Sequence, residues 1–173
     1  MAHDIRTFGD PVLKTVADEI TNIDGKLVRL TEEMFGVMYQ APGIGLAAPQ
    51  IGIQRRLFVY DIDEDPRVII NPKIVESSGE WVYDEGCLSI PGLYVEMLRP
   101  RRIVVQGIDL DGNDVQFEAD EVLSRLFQHE IDHLDGVLMF DRMTPEQRKK
   151  AVTLYRARET GPRDTEPVHL RLD

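Results

Sequence analysis

His129-Glu130-Ile131-Asp132-His133, set between Asp120 and Gly136, is the stretch on which the fold turns. Two imidazoles four residues apart lie on one face of a helix, one turn apart, and can hold one metal ion. The glutamate beside the first histidine can serve as general base toward a water at that metal. Read this way, the stretch predicts a hydrolase, provided that it is helical and that a third ligand exists. Asp120 suits an N-cap and Gly136 stands where a left-handed residue ends a helix. Val122, Leu126, His129 and His133 form one stripe; Leu123, Phe127, Glu130 and Leu134 form a second. Apolar residues on both stripes predict a helix buried in the middle of the domain, the rigid and dry mount that a catalytic metal needs. The competing reading is a buried helix with two satisfied histidines, because this five-residue pattern also arises by chance.

The third ligand separates the families of such sites. A histidine six residues after His133 would give one class, but that position is Met139. A downstream glutamate would give another, and Glu146 is the first. It lies inside Thr144-Pro145-Glu146-Gln147, which reads as a capping box with proline at the first helical position, so its place is structural. Cys87, the single cysteine, is the remaining candidate. It has no intramolecular disulfide partner, and the absence of a signal-peptide pattern points to a reducing cytoplasm. A thiolate with two imidazoles gives three protein ligands and leaves a position for water. Against that stands the ordinary role of a lone cysteine as a small buried hydrophobe. Its setting favours the ligand: Glu85-Gly86-Cys87-Leu88-Ser89 places a flexible glycine beside the thiol, between two strand-like runs.

The chain resembles the peptide deformylases. Gly43-Ile44-Gly45-Leu46-Ala47-Ala48-Pro49-Gln50 is similar to that family's first motif, Glu85 to Ser89 to its second, and Gln128 to Gly136 to its third, in the family's order. The similarity runs roughly from residue 5 to 158. The resemblance implies removal of the N-formyl group from the formyl-methionine of newly made polypeptides, with release of formate. It implies Cys87, His129 and His133 as ligands of one divalent ion, Fe(II) ahead of zinc, nickel or cobalt, and Glu130 as the acid–base group. It assigns the Gln50 side-chain amide and the Leu88 backbone N–H to the oxyanion; a carboxamide donates without titrating and a strand-end N–H is already oriented.

The substrate is expected to lie along Gly43, Ile44 and Gly45 on one side and Glu85, Gly86 and their neighbours on the other. Added as an extra strand, it would gain affinity from the main chain with little sequence preference. Ile44, Tyr83, Val122 and Leu126 are the candidates for an apolar pocket that takes the first side chain. The bland alternative makes the glycines an ordinary loop and some of these apolar residues plain core.

With 173 residues and 42% hydrophobic content, the chain is read as one catalytic domain over 1–158, followed by a mobile charged tail over 159–173. No apolar run is long enough for a membrane span, and a net charge of −11 argues against DNA as a partner. Asp10-Pro11 reads as a short helix start. Leu27, Leu30, Met34, Met38 and Ala41 predict a helix from about Gly25 to Gln40, ended by Pro42-Gly43. Strands are expected at 56–61, 67–71, 73–76, 81–84, 93–97, 102–108 and 115–119, the last two joined at Asp111-Gly112-Asn113. A short extended run is expected at 137–140 and a final helix at roughly 145–158. Together these give an α+β fold, antiparallel sheets packed around the central metal-binding helix with an N-terminal and a C-terminal helix. The last helix carries five basic and two acidic residues in an acidic chain, which points to ribosome contact; cations at a helix C-terminus are the plain alternative.

Two other functions fit the same residues less well. One is a related deformylase acting on a formylated small metabolite, which only the pocket would distinguish. The other is a module stapled by a structural metal; such sites close with four protein ligands, and His3 and His169 lie near the chain ends.

Overall fold

The computed structural model describes residues 3–162 and 166–171. Its elements in chain order are a 3₁₀ turn Pro11–Lys14, α1 (Gly25–Gln40), β1 (Gly45–Ala47), a 3₁₀ turn Ala48–Ile51, β2 (Leu57–Ile62), β3 (Asp65–Ser78) and β4 (Trp81–Cys87). There follow β5 (Ile90–Arg99), β6 (Arg102–Ile108), β7 (Asp114–Asp120), α2 (Glu121–Leu134), a 3₁₀ turn Met139–Arg142, α3 (Pro145–Glu159) and β8 (Val168–Leu170). An antiparallel sheet runs β1-β2-β3-β6-β7, and a smaller one runs β4-β5-β8. The expected α+β class and the central helix are both observed.

Helix α2 lies between the two sheets, and its periodicity explains why. Phe127, Ile131 and Leu134 are buried with Phe58, Tyr60, Ile69, Ile103 and Val105 of the larger sheet. Full burial of a side chain such as Phe127 is worth about 1.5–3 kcal/mol. On the other flank Arg125 donates to the Trp81 and Met97 carbonyls, at 2.8 and 2.9 Å, tying the helix to β4 and β5. Every residue from Ser124 to Leu134 is buried. Asp120 accepts from the Glu121 N–H at 2.9 Å, and Gly136 is left-handed with φ of 70°.

Gly136 is held there by its surroundings as well as by its dihedral. A Cβ on it would stand 2.8 Å from the backbone carbonyl of Lys14. Gly136→Ala is therefore expected to cost about 2–3 kcal/mol, from the left-handed conformation and the backbone clash together. For a chain of this size that is a fall in melting temperature of roughly 4–12 °C. A thermal melt equal to that of the wild type would refute the argument.

Helix α1 follows the expected bounds. Asp24 caps it by accepting from the Lys26 and Leu27 N–H groups at 3.1 and 3.0 Å, and Leu27, Met34 and Met38 face Leu46, Leu57, Val59 and Ile70. Helix α3 packs Ala151 and Tyr155 onto Ile90, Leu93 and Val95 of β5.

Three expectations are corrected. The two strands expected at 67–71 and 73–76 are one strand, β3, whose register shifts against β6 absorb the break at Pro72. The extended run expected at 137–140 becomes a 3₁₀ turn from Met139, because Asp141 bonds back to the Leu138 N–H at 2.9 Å and Met139 and Phe140 are drawn into the core beside Tyr155. Within the segment read as a mobile charged tail over 159–173, Val168–Leu170 forms β8, which pairs parallel with β5 and inserts Leu170 into the same core; residues 163–165 and 172–173 of that segment lie outside the described residues. The smaller sheet is therefore mixed rather than antiparallel throughout.

Candidate metal centre and substrate cleft

The three expected ligands converge. Cys87 Sγ lies 3.3 Å from His133 Nε2, and His133 Nε2 lies 3.2 Å from His129 Nε2. The two histidines come from successive turns of α2. Cys87 comes from the end of β4, where a register shift between Gly86 and Cys87 turns the chain into the Leu88-Ser89 connection. Ligand bonds of ~2.0–2.3 Å in a tetrahedral site place neighbouring donors ~3.3–3.7 Å apart, close to the spacing seen. Among the described residues this is the cluster of His, Cys, Asp and Glu whose donor atoms all lie within 4.8 Å of one another. Deprotonated, three such donors would turn lone pairs toward one point, and a cation would remove that conflict.

His129 is oriented from behind. Its Nδ1 lies 3.4 Å from Glu85 Oε1, and Glu85 is held by the Arg99 guanidinium at 2.9–3.2 Å. Burial alone would push the Glu85 carboxyl up, but His129 and Arg99 beside it hold it down at about 2. Arg99 continues to Asp132 at 3.0 Å, and Asp132 also takes Arg142 at 2.5 Å. Such a support fixes which imidazole nitrogen would face a metal held there. Glu85, grouped from the sequence with the substrate-binding residues, lines the cleft but commits its carboxylate to Arg99 and His129.

Glu130 is 4% exposed, and its Oε2 has no hydrogen-bond partner in the protein. Burial pushes its carboxyl up to about 7, and the charge of Glu85 adds to that while His129 opposes it. Gly45 makes room for it: a Cβ there would stand 2.8 Å from Glu130 Oε1. Gln50 is 1% exposed. Its Oε1 accepts the Ala47 N–H at 2.9 Å, which points Nε2 at Ser89 Oγ, 3.2 Å away, and at Cys87 Sγ, 3.9 Å away.

A cleft of about 690 Å³ opens onto these groups. Gly43, Ile44, Gly45, Gln50, Tyr83, Glu85, Gly86, Cys87, Leu88, Val122, Leu126, His129 and Glu130 all line it; His133 sits behind them, 1% exposed. Ile44, Tyr83 and Val122 stand half-exposed at its rim, while Leu126 is buried in its wall. β1 and β4 are edge strands of the two sheets, so backbone groups flank the cleft on both sides. Sequence reasoning missed Ser89, Arg99, Asp132 and Arg142. Ser89 and Asp132 lie inside the quoted motifs, so a signal existed for them. Arg99 and Arg142 look like ordinary surface cations until the fold buries their partners.

A thiol and two imidazoles around one point, a buried carboxylate beside them and an apolar cleft above make this a metallohydrolase. A model of the family described as polypeptide deformylase matches residues 2–149. A peptide deformylase of Acidothermus cellulolyticus is 47% identical over 155 residues, covering 90% of this chain and 86% of that protein. One from Hydrogenovibrio crunogenus is 44% identical over 156 residues, 88% of this chain and 92% of that one. The crystal structure of the Thermus thermophilus peptide deformylase superposes with a TM-score of 0.85 at 42% identity, covering 91% of this chain and 95% of that one. That of Synechococcus elongatus, in complex with actinonin, gives 0.84 at 39% identity, covering 96% and 91%. The chain belongs to the polypeptide deformylase family, and as such it is a metal-dependent hydrolase that takes the N-formyl group from newly made polypeptides.

Proposed function

We propose that Cys87, His129 and His133 hold one divalent cation, with Fe(II) as the native metal, and that Glu130, Gln50 and Leu88 carry the catalytic work. The observation that supports this most is the convergence of the three donors beside a buried carboxylate that has an oxygen without a protein partner. When bound, the cation supplies Lewis acidity to water and to the formyl carbonyl. Glu130 takes a proton from the attacking water and passes it to the departing amine nitrogen. Gln50 Nε2, oriented by the Ala47 N–H, and the Leu88 N–H donate to the oxygen that becomes negative at the tetrahedral carbon. A cysteine–histidine set admits zinc, nickel and cobalt as well; iron rests on the family resemblance.

The peptide lies between the β1 and β4 edges, near Gly43 to Gly45 and Gly86 to Ser89, and its first side chain enters the pocket of Ile44, Tyr83, Val122 and Leu126. The test compares formate release from a formyl-Met tripeptide with release from formylated small amines, using anaerobically purified protein analysed for metal. Release from the amines alone would replace the peptide reading with that of a small-metabolite deformylase. The substrate places the enzyme in the cytoplasm, with nascent chains rather than membrane or DNA as partners. Among the described residues, no helix is long and apolar enough to cross a membrane.

A second reading concerns α3, whose Lys149, Lys150 and Arg156 are exposed on an acidic protein and suit contact with ribosomal RNA. Deleting α3 would not test it, because Ala151 and Tyr155 belong to the core under β5. Reversing the three charges to glutamate is expected to weaken co-sedimentation with ribosomes and to reduce its salt dependence, with little change in formate release from a free peptide. Unaltered co-sedimentation at low salt would defeat the idea.

A further inference from the structure

Strand β8 touches two residues of the substrate cleft through one side chain. His169 pairs across from Tyr94 in the parallel ladder, and its ring stacks on the Tyr94 ring with centroids 5.0 Å apart and planes at 12°. Its Nδ1 lies 3.0 Å from Asp84 Oδ2. Both partners line the cleft, and both stand beside the metal-binding strand end: Tyr94 pairs with Gly86, the residue before Cys87, and Asp84 lies two residues earlier on β4. The Tyr94 ring covers Gly86 so closely that a Cβ there would stand 2.5 Å from it. Tyr94 is 39% exposed, so without a neighbour its ring would be free to change rotamer. Leu170, buried 8% exposed in the core with Tyr155, anchors the strand that delivers His169.

We propose that His169 is a positioning residue for substrate specificity: by stacking on Tyr94 it holds that ring as a wall of the cleft for peptide residues that follow the first. This rests on the deformylase reading above. A stacked pair in place costs a peptide less ordering on binding than a ring that must be immobilised. An aromatic pair is worth about 0.5–1.5 kcal/mol, which limits the effect on binding to roughly 2- to 12-fold.

The test measures kcat and KM separately for a formyl-Met tripeptide and for formyl-methionine alone, in wild type, His169→Ala and His169→Phe. His169→Ala is expected to raise KM for the tripeptide 2- to 12-fold with kcat held, and to change formyl-methionine far less. His169→Phe keeps a ring on Tyr94 and loses the bond to Asp84, and it is expected to restore most of the tripeptide KM. Equal changes for the two substrates in His169→Ala, or no change in either, would overturn the proposal. A phenylalanine variant behaving like the alanine one would also overturn it, by moving the effect to Asp84. Failure of the wild type to release formate from either substrate would instead overturn the activity on which the proposal rests.

Discussion

Replacing Glu130 by glutamine is expected to lower turnover by at least ~100-fold, about 2.7 kcal/mol of barrier, while metal content stays at the wild-type level. The substitution keeps shape and volume, so it fits the room that Gly45 leaves beside residue 130. What it removes is the capacity to accept a proton. The carboxylate oxygen without a protein partner is the one left for that task. Metal analysis beside a formate-release assay separates the two possibilities. Near-native turnover would remove Glu130 from the acid–base role, and loss of metal with turnover would make it a ligand.

Cys87→Ala is expected to abolish activity by releasing the metal. Structural four-ligand zinc sites bind with about 10–16 kcal/mol, so one ligand accounts for about 2.5–4 kcal/mol, or a 10²- to 10³-fold loss of affinity. Cys87→Ser retains an oxygen donor and is expected to keep some metal with little activity. The wild-type thiolate is also expected to make the iron form lose activity in air, by oxidation of the metal or of the sulfur, while a zinc-substituted form persists. Full metal occupancy in the alanine variant would take Cys87 out of the ligand set.

The same substitution probes how the site is supported. His129 and His133 ride on a helix packed on both flanks, so they are expected to keep their places without the thiol. Cys87 sits at a strand end next to a register shift, with Gln50 Nε2 3.9 Å away and itself bonded to Ser89 Oγ. Its loss is therefore expected to disturb Gln50 and the Leu88 N–H as well as the metal. That predicts a larger drop in activity from Cys87→Ala than metal re-addition restores.

Helix α2 was legible in the sequence because everything that makes it a helix is local. Asp120 and Gly136 mark its ends, and its two stripes give its burial before any partner is known. Helices α1 and α3 were legible for the same reason, α1 from the spacing of its apolar residues and α3 from the Thr144 capping box. That Cys87, His129 and His133 would come together was legible as residue types in a pattern. The sequence alone thus determined the α+β class, the buried central helix and the residue types that it and the end of β4 bring together.

Tertiary structure decided what depends on contacts between remote segments. Glu85 looked like a substrate residue until β5 brought Arg99 and α2 brought His129 against it. Residues 137–140 had strand-like composition, but the pull of Met139 and Phe140 into the core favoured a turn. Val168 to Leu170 is too short a run to announce a strand, and it forms one because β5 offers an open edge and Leu170 finds a buried place beside Tyr155. Caps and periodicity are written within a few residues of the chain. A strand's partner and a buried carboxylate's counter-ion are set by which surfaces meet when the chain closes, and no local pattern records that.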